Sequence, residues 1–301
     1  MKLRIALLPL CLLATLPAVA ATRGFDVRDM VALDRVSSPT LSPDGAVVVF
    51  AQRQMDKEAV SASSSLWMRN LLTRDLAPPK RLTPEGWNVN SPSFSPDGKT
   101  VYFLSAKSGT QQLYSIASNG GAPRQLTSFA LDIGSYKLSP DGTHVAFSAE
   151  TFADCKSDFA CTRKRLDDTK AKKTTGVVYD QLFVRHWDTW GDGRRSRLFI
   201  GALPTGKAKA TSQATSLTDM LDGDAPSKPF GDASEYTWSP DGKSIVAGIR
   251  VAGKGEAWST NFDLYRLAAD GKAAPVNLTA ANKAWDAGPV FSADGGTLFY
   301  R

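Results

Sequence analysis

Cysteine and histidine are nearly absent: the 301 residues contain three Cys and two His. That leaves too few thiolate and imidazole ligands for a zinc or iron–sulfur centre, which gathers several such side chains at short spacing. Also missing are Gly-x-Ser-x-Gly, His-Glu-x-x-His, a phosphate loop and a dinucleotide fingerprint, so no nucleophile turn, metalloprotease helix or nucleotide cradle is legible. A Ser-His-Asp triad is defined by geometry rather than by order, and no catalytic residue is assigned within the chain. His144, just after a turn, reads as a surface residue, and no cofactor or metal is expected.

Long apolar runs are equally scarce. One stands out, Ile5 to Leu16, preceded by Lys2 and Arg4 and followed by Ala18-Val19-Ala20. A basic start, a short apolar run and small residues before a cleavage point describe a secretory signal peptide over residues 1–20, cut near Ala20. The run is too short to span a bilayer, and Cys11 lacks the small residues ahead of it that a lipid anchor needs. The mature chain is expected to be exported, periplasmic or secreted, without a membrane span.

Removing the leader lowers the net charge from +6 to +4, with 34 basic against 30 acidic residues. Much of the surplus lies in Arg163-Lys164-Arg165 and in Lys170 to Lys173. No aromatic platform accompanies these runs, so they read as a solvated insertion and not as a nucleic-acid surface. The same insertion holds the two remaining cysteines, Cys155 and Cys161. In an oxidising compartment they are expected to form a local disulfide.

What the sequence does have is a repeat. Ser42-Pro43-Asp44-Gly45 recurs as Ser95-Pro96-Asp97-Gly98, Ser139-Pro140-Asp141-Gly142, Ser239-Pro240-Asp241-Gly242 and, with Ala for Pro, Ser292-Ala293-Asp294-Gly295. A Leu-Thr pair precedes each later copy: Leu82-Thr83, Leu126-Thr127, Leu217-Thr218 and Leu278-Thr279. Pro presets the second position of a turn, Asp suits the third, and Gly takes the left-handed position that closes it. A β-forming run follows every turn, as in Val101 to Leu104 or Ile245 to Ile249, and a third strand comes next, such as Leu113-Tyr114-Ser115-Ile116. The large residues ahead of each turn, as in Tyr136-Lys137-Leu138, are expected on an inner strand packed between neighbours.

Turns spaced at 53, 44, 100 and 53 residues, with four short antiparallel strands between them, predict an all-β chain folded as a β-propeller. Its blades fall at about 37–83, 84–127, 128–218 and 219–279, with a partial fifth over 280–301 and a lead-in helix in 21–36. The 100-residue interval holds one blade plus an insertion at about 150–195. Propellers close on a ring of blades, so the chain is read as part of a larger propeller.

The insertion ends in Arg185-His186-Trp187-Asp188-Thr189-Trp190-Gly191-Asp192-Gly193, rich in groups that blade geometry does not need. Loops on rigid scaffolds collect recognition residues. The other reading is that the Trp pair caps the blade while the charges pair with one another. Asp188-x-Trp190-x-Asp192 lacks the later Glu of a calcium loop.

Phe25-x-x-x-Asp29, leading through Arg35-Val36-Ser37-x-Pro39-x-Leu41 into the first Ser-Pro-Asp-Gly turn, resembles the amino-terminal part of exported serine peptidases of the prolyl oligopeptidase family. Tyr179-Asp180-x-Leu182-Phe183-x-Arg185-His186-Trp187-Asp188-Thr189-Trp190 and Lys228-Pro229-Phe230-Gly231 are similar to its dipeptidyl peptidase V branch. The resemblance implies a propeller that filters peptides with a free amino terminus, followed by an α/β-hydrolase domain with a Ser-Asp-His triad. The chain departs from the family by stopping before that domain. A peptide amine is a cation that carboxylates would hold: Asp188, Asp192 and Glu235 are the candidates, with Trp187, Trp190 and Tyr236 as apolar walls. The competing expectation is a non-enzymatic binding propeller like the periplasmic component of the Tol system, which shares the turn and Leu-Thr chemistry.

Overall fold

The computed structural model describes residues 23–56, 58–72, 78–179 and 185–301. The expected leader and the 180–184 part of the insertion lie outside the described residues.

Each Ser-Pro-Asp-Gly copy closes on itself. In the second, the Ser95 hydroxyl donates to Asp97 Oδ1 at 2.6 Å, the Lys99 amide donates to the same oxygen at 3.1 Å, and the Thr100 amide donates to Ser95 Oγ at 3.0 Å. Gly98 donates to the Ser95 carbonyl with φ at 69°, a conformation that glycine adopts without a Cβ penalty. The same bonds recur in the other four copies, including the one where Ala293 replaces Pro.

The Leu-Thr pair is the second fastener. It follows each short fourth strand and grips a leucine of the third. Leu126 donates to the Leu113 carbonyl at 2.8 Å, and the Leu113 amide donates to Thr127 Oγ1 at 2.9 Å. Thr83 with Leu66, Thr218 with Leu198 and Thr279 with Leu264 repeat the grip. One turn and one clip thus set the length of each blade.

Four antiparallel four-stranded sheets result. The first contains Arg35–Leu41, Val47–Asp56, Ser61–Asn70 and Lys80–Arg81; the second Val89–Phe94, Thr100–Ser105, Gln112–Ala117 and Arg124–Gln125. The third contains Tyr136–Leu138, His144–Phe152, Arg194–Ala202 and Thr215–Ser216; the fourth Tyr236–Trp238, Ser244–Ile249, Asp263–Ala268 and Val276–Asn277. Val290–Phe291 and Leu298–Phe299 begin a fifth. The chain is mostly β and forms propeller blades whose sheets do not close a ring.

The core lies between blades. Val49 and Leu66 of blade one meet Val101 and Phe103 of blade two; Leu104 and Leu113 meet Phe147 and Phe199 of blade three; Leu198 and Ile200 meet Tyr236 and Ile245 of blade four. Phe147 and Phe199 stack at 5.6 Å, with Phe159 edge-on. Every such side chain is largely withdrawn from water, the dominant favourable term in folding.

Two boundaries differ from expectation. The lead-in helix, α1, covers only Val27–Ala32, held by a capping box of Asp26 and Asp29, and the first strand begins at Arg35. The central strands of blade three pair without a break from His144 opposite Ala202 to Phe152 opposite Arg194. The insertion is therefore confined to 153–193, because residues 150–152 and 194–195 complete the ladder.

Candidate substrate-recognition face

Within each blade the first strand runs down to the Ser-Pro-Asp-Gly turn and the second runs back. The connections between second and third strands, and those between blades, therefore emerge together on the opposite face. The insertion of blade three belongs to this face, as does the loop from Asp222 to Gly231.

The insertion opens with a turn closed by the Cys155–Cys161 disulfide, Cα atoms 5.6 Å apart. It continues as helix α2, Phe159–Ala171, capped by the Asp158 side chain on the Cys161 amide and seated in the core through Phe159. The basic residues of α2 pair within the insertion, Lys164 with Asp168 and Arg165 with Asp154. After α2 the chain forms a two-residue hairpin, Arg185–His186 against Thr189–Trp190, with Trp187 and Asp188 at its tip.

The hairpin leans on the Asp222–Gly231 loop. Trp187 is 74% and Phe230 69% exposed, yet their rings meet at 5.2 Å. Trp190 stacks on Tyr179 at 5.8 Å, and the Arg185 guanidinium sits 5.1 Å over the Trp190 ring. Exposed aromatics that contact one another present a fixed apolar surface with a polar rim, the composition of a recognition site. Asp188 is exposed and has no hydrogen bond or ion pair among the described residues. It is the candidate carboxylate left free to meet a cation.

The other expected anchors are engaged. Asp192 accepts from the Arg194 amide and from its guanidinium at 2.6 Å. Burial opposes ionisation of Asp192, but those bonds outweigh it and hold the carboxyl below its ordinary value. For Asp192 the reading in which the charges pair with one another prevails. Glu235 takes the Ser227 amide at 2.6 Å and the Ser227 hydroxyl at 2.7 Å, so both its oxygens fasten the neighbouring loop.

Tyr236 corrects the sequence reading outright. It is 0% exposed, packed between blades three and four, and its hydroxyl reaches Ser135 at 3.1 Å. An inner-strand aromatic covered on both sides has no surface left for a substrate. His144 is exposed and bonded to its neighbour Thr143. It lines an open cleft of about 810 Å³ together with Ser128, Asp158, Gln213 and Asp270, a cleft that none of the candidate carboxylates or aromatic walls lines.

Sequence reasoning missed the ionic frame behind the face. Glu150 accepts from Arg194 at 3.0 Å and from Lys228 at 2.9 Å. Arg195 meets Asp222, Asp224 and Glu256, and Arg250 also reaches Glu256. Burial raises the Asp224 carboxyl above its ordinary value despite Lys228 and Arg195 near by. The Glu256 carboxyl, also opposed by burial, is held down by the bonds from Arg195. Phe230 was visible only as part of a motif.

These features define the class: a β-propeller of short repeated blades with an elaborated loop face. The model of the TolB beta propeller domain matches residues 32–181. The chain is 30% identical over 270 residues to dipeptidyl-peptidase 5 of Porphyromonas endodontalis, an alignment of 88% of this chain and 36% of that protein. It is also 30% identical over 277 residues to dipeptidyl-peptidase 5 of Porphyromonas gingivalis, covering 88% of this chain and 37% of that one. Among solved structures, the acylaminoacyl peptidase of Pyrococcus horikoshii superposes with a TM-score of 0.58 at 15% identity, over 92% of this chain and 36% of that chain. Over 88% of its length the chain is thus similar to proteins named dipeptidyl-peptidase 5, and its blades are of the TolB propeller type. It spans little more than a third of the length of these curated relatives.

Proposed function

We propose that this chain is the propeller portion of an exported serine peptidase that releases dipeptides from free amino termini, and that it filters and positions the peptide for a hydrolase domain. The similarity to two dipeptidyl-peptidase 5 proteins over 88% of the chain carries the reading. In it, Asp188 receives the peptide amine while Trp187 and Phe230 wall the adjoining side chain. A carboxylate at a fixed distance from the nucleophile converts recognition of the amine into a count of residues, because the bond that falls at the nucleophile is set by reach. The covalent chemistry, acyl transfer to serine followed by hydrolysis, belongs to the hydrolase domain.

The experiment is to incubate the complete gene product with a linear decapeptide and follow the products by mass spectrometry. Successive losses of two residues from the amino terminus are expected. An intact peptide would favour a second reading, supported by the TolB propeller match over 32–181: a non-enzymatic binding propeller whose partner is a protein.

A further inference from the structure

The geometry points to Arg195 as a positioning residue for peptide binding: it fixes the Asp222–Gly231 loop and, through that loop, the Phe230–Trp187 wall beside Asp188. This inference rests on the reading of Asp188 as the amine anchor.

Arg195 is the second residue of the third strand of blade three, where Thr151 opposes it. Its guanidinium is bidentate to Glu256, Nη1 to Oε1 and Nη2 to Oε2, both at 2.8 Å. The same two nitrogens reach Asp224 at 3.0 Å and Asp222 at 3.2 Å. Three separate segments therefore meet at one cation: the blade-three strand, the loop between blades, and the Glu256 connection of blade four. A planar fork with several fixed donors suits such a junction better than the point charge of lysine.

From that junction the loop is fastened at three more points before it reaches Phe230, the first at Ala225, whose amide donates to the Ser196 carbonyl at 2.9 Å and whose carbonyl accepts from the Ser196 hydroxyl at 3.2 Å. Ser227 is held by Glu235, and Lys228 by Glu150 at 2.9 Å and by the Arg194 carbonyl at 3.0 Å. A loop so heavily tied ends in an aromatic ring that is largely exposed and rests on Trp187 at 5.2 Å. The tethers are thus far stronger than holding an exposed Phe for packing alone requires. Partly buried ion networks are also a poor means of gaining stability, because desolvation offsets most of the attraction. What they do well is fix direction, which a recognition wall needs.

Removing the Arg195 charge leaves Glu256 to Arg250 and Asp224 to the Ser196 amide, and unties the Asp222–Gly231 loop from Glu256 of blade four. The wall would then lose its register with Asp188 while the hydrolase chemistry stayed intact.

The test is steady-state kinetics of the complete gene product on chromogenic dipeptide substrates, comparing Arg195→Met, Arg195→Lys and Glu256→Gln. Arg195→Met is expected to raise KM about tenfold and to leave kcat within about twofold, the pattern of lost positioning rather than lost chemistry. Arg195→Lys should recover part of the loss, and Glu256→Gln should give a smaller rise. If Arg195→Met does not fold, Glu256→Gln carries the test. An unchanged KM in a folded variant, or equal falls in kcat and kcat/KM, overturns the inference. Asp188→Ala raising KM while Arg195→Met does not would sink this inference and spare the anchor reading. No dipeptide release by the wild type removes both.

Discussion

Asp141 accepts from the Ser139 hydroxyl, the Thr143 amide and the Thr143 hydroxyl. These donors hold its carboxyl at about 2, against an ordinary 3.8. Asp44, Asp97, Asp241 and Asp294 are lowered for the same first reason, the hydroxyl of the turn serine. A carboxyl whose folded pKa lies below its unfolded value stabilises the fold above the unfolded pKa, and that contribution disappears as pH falls through the folded one. The thermal midpoint should therefore hold steady near neutrality and drop between about pH 4 and about pH 2, and drop less in Asp141→Asn. A pH series of thermal melts on the two proteins checks this. These aspartates were legible in the sequence because every partner lies within five residues. Tyr236 was misread because its hydroxyl meets Ser135, 101 positions earlier, and no local pattern says which side of an inner strand the next blade covers.

At the scale of elements, the Leu-Thr clip makes a sharp expectation. Thr127 is fully buried, accepts from the Leu113 amide and donates to Gln112 Oε1 at 2.9 Å. Thr127→Val keeps the shape and strands the Leu113 amide, while Gln112 Oε1 keeps the Phe129 amide, so it should cost about 2 kcal/mol in urea unfolding, the penalty for a buried group left unpaired. A loss near zero would mean that the clip is incidental to the blade. The disulfide is the second case. Opening Cys155–Cys161 frees the turn that precedes α2, and the entropy of so short a loop corresponds to about 2 kcal/mol. A urea midpoint lowered by reductant in the wild type, and already low in Cys155→Ser, is the expected pair of results. The repeat showed the clips and turns plainly. It said nothing of how the insertion folds, because that segment occurs once and its described residues take their shape from the disulfide, from Arg165 on Asp154 and from contacts with Phe147, Phe199 and Phe230.

Over the whole molecule, the hydrophobic contacts lie between blades, so each blade is supported by its neighbours in the manner of repeat proteins. The connections between blades and the insertion gather on one face, with Phe129, Leu131, Ile133 and Phe159 reaching back into the core. The ionic frame that stiffens this face joins residues far apart in the chain, Arg195 with Glu256 and Glu150 with Lys228, which is why the sequence displayed the hairpin and its motif but not their support. Of the three expected carboxylates, the fold leaves Asp188 unengaged among the described residues and commits Asp192 and Glu235 to Arg194 and Ser227.

On the proposed reading, this face binds a free peptide amine through Asp188. The most direct measurement compares kcat/KM of the complete gene product for a dipeptide chromogenic substrate and for its acetylated counterpart, in the wild type and in Asp188→Ala. The wild type should favour the free amine strongly and Asp188→Ala should surrender about tenfold or more of that preference, the worth of one charge-assisted hydrogen bond. A variant that discriminates as well as the wild type would contradict it.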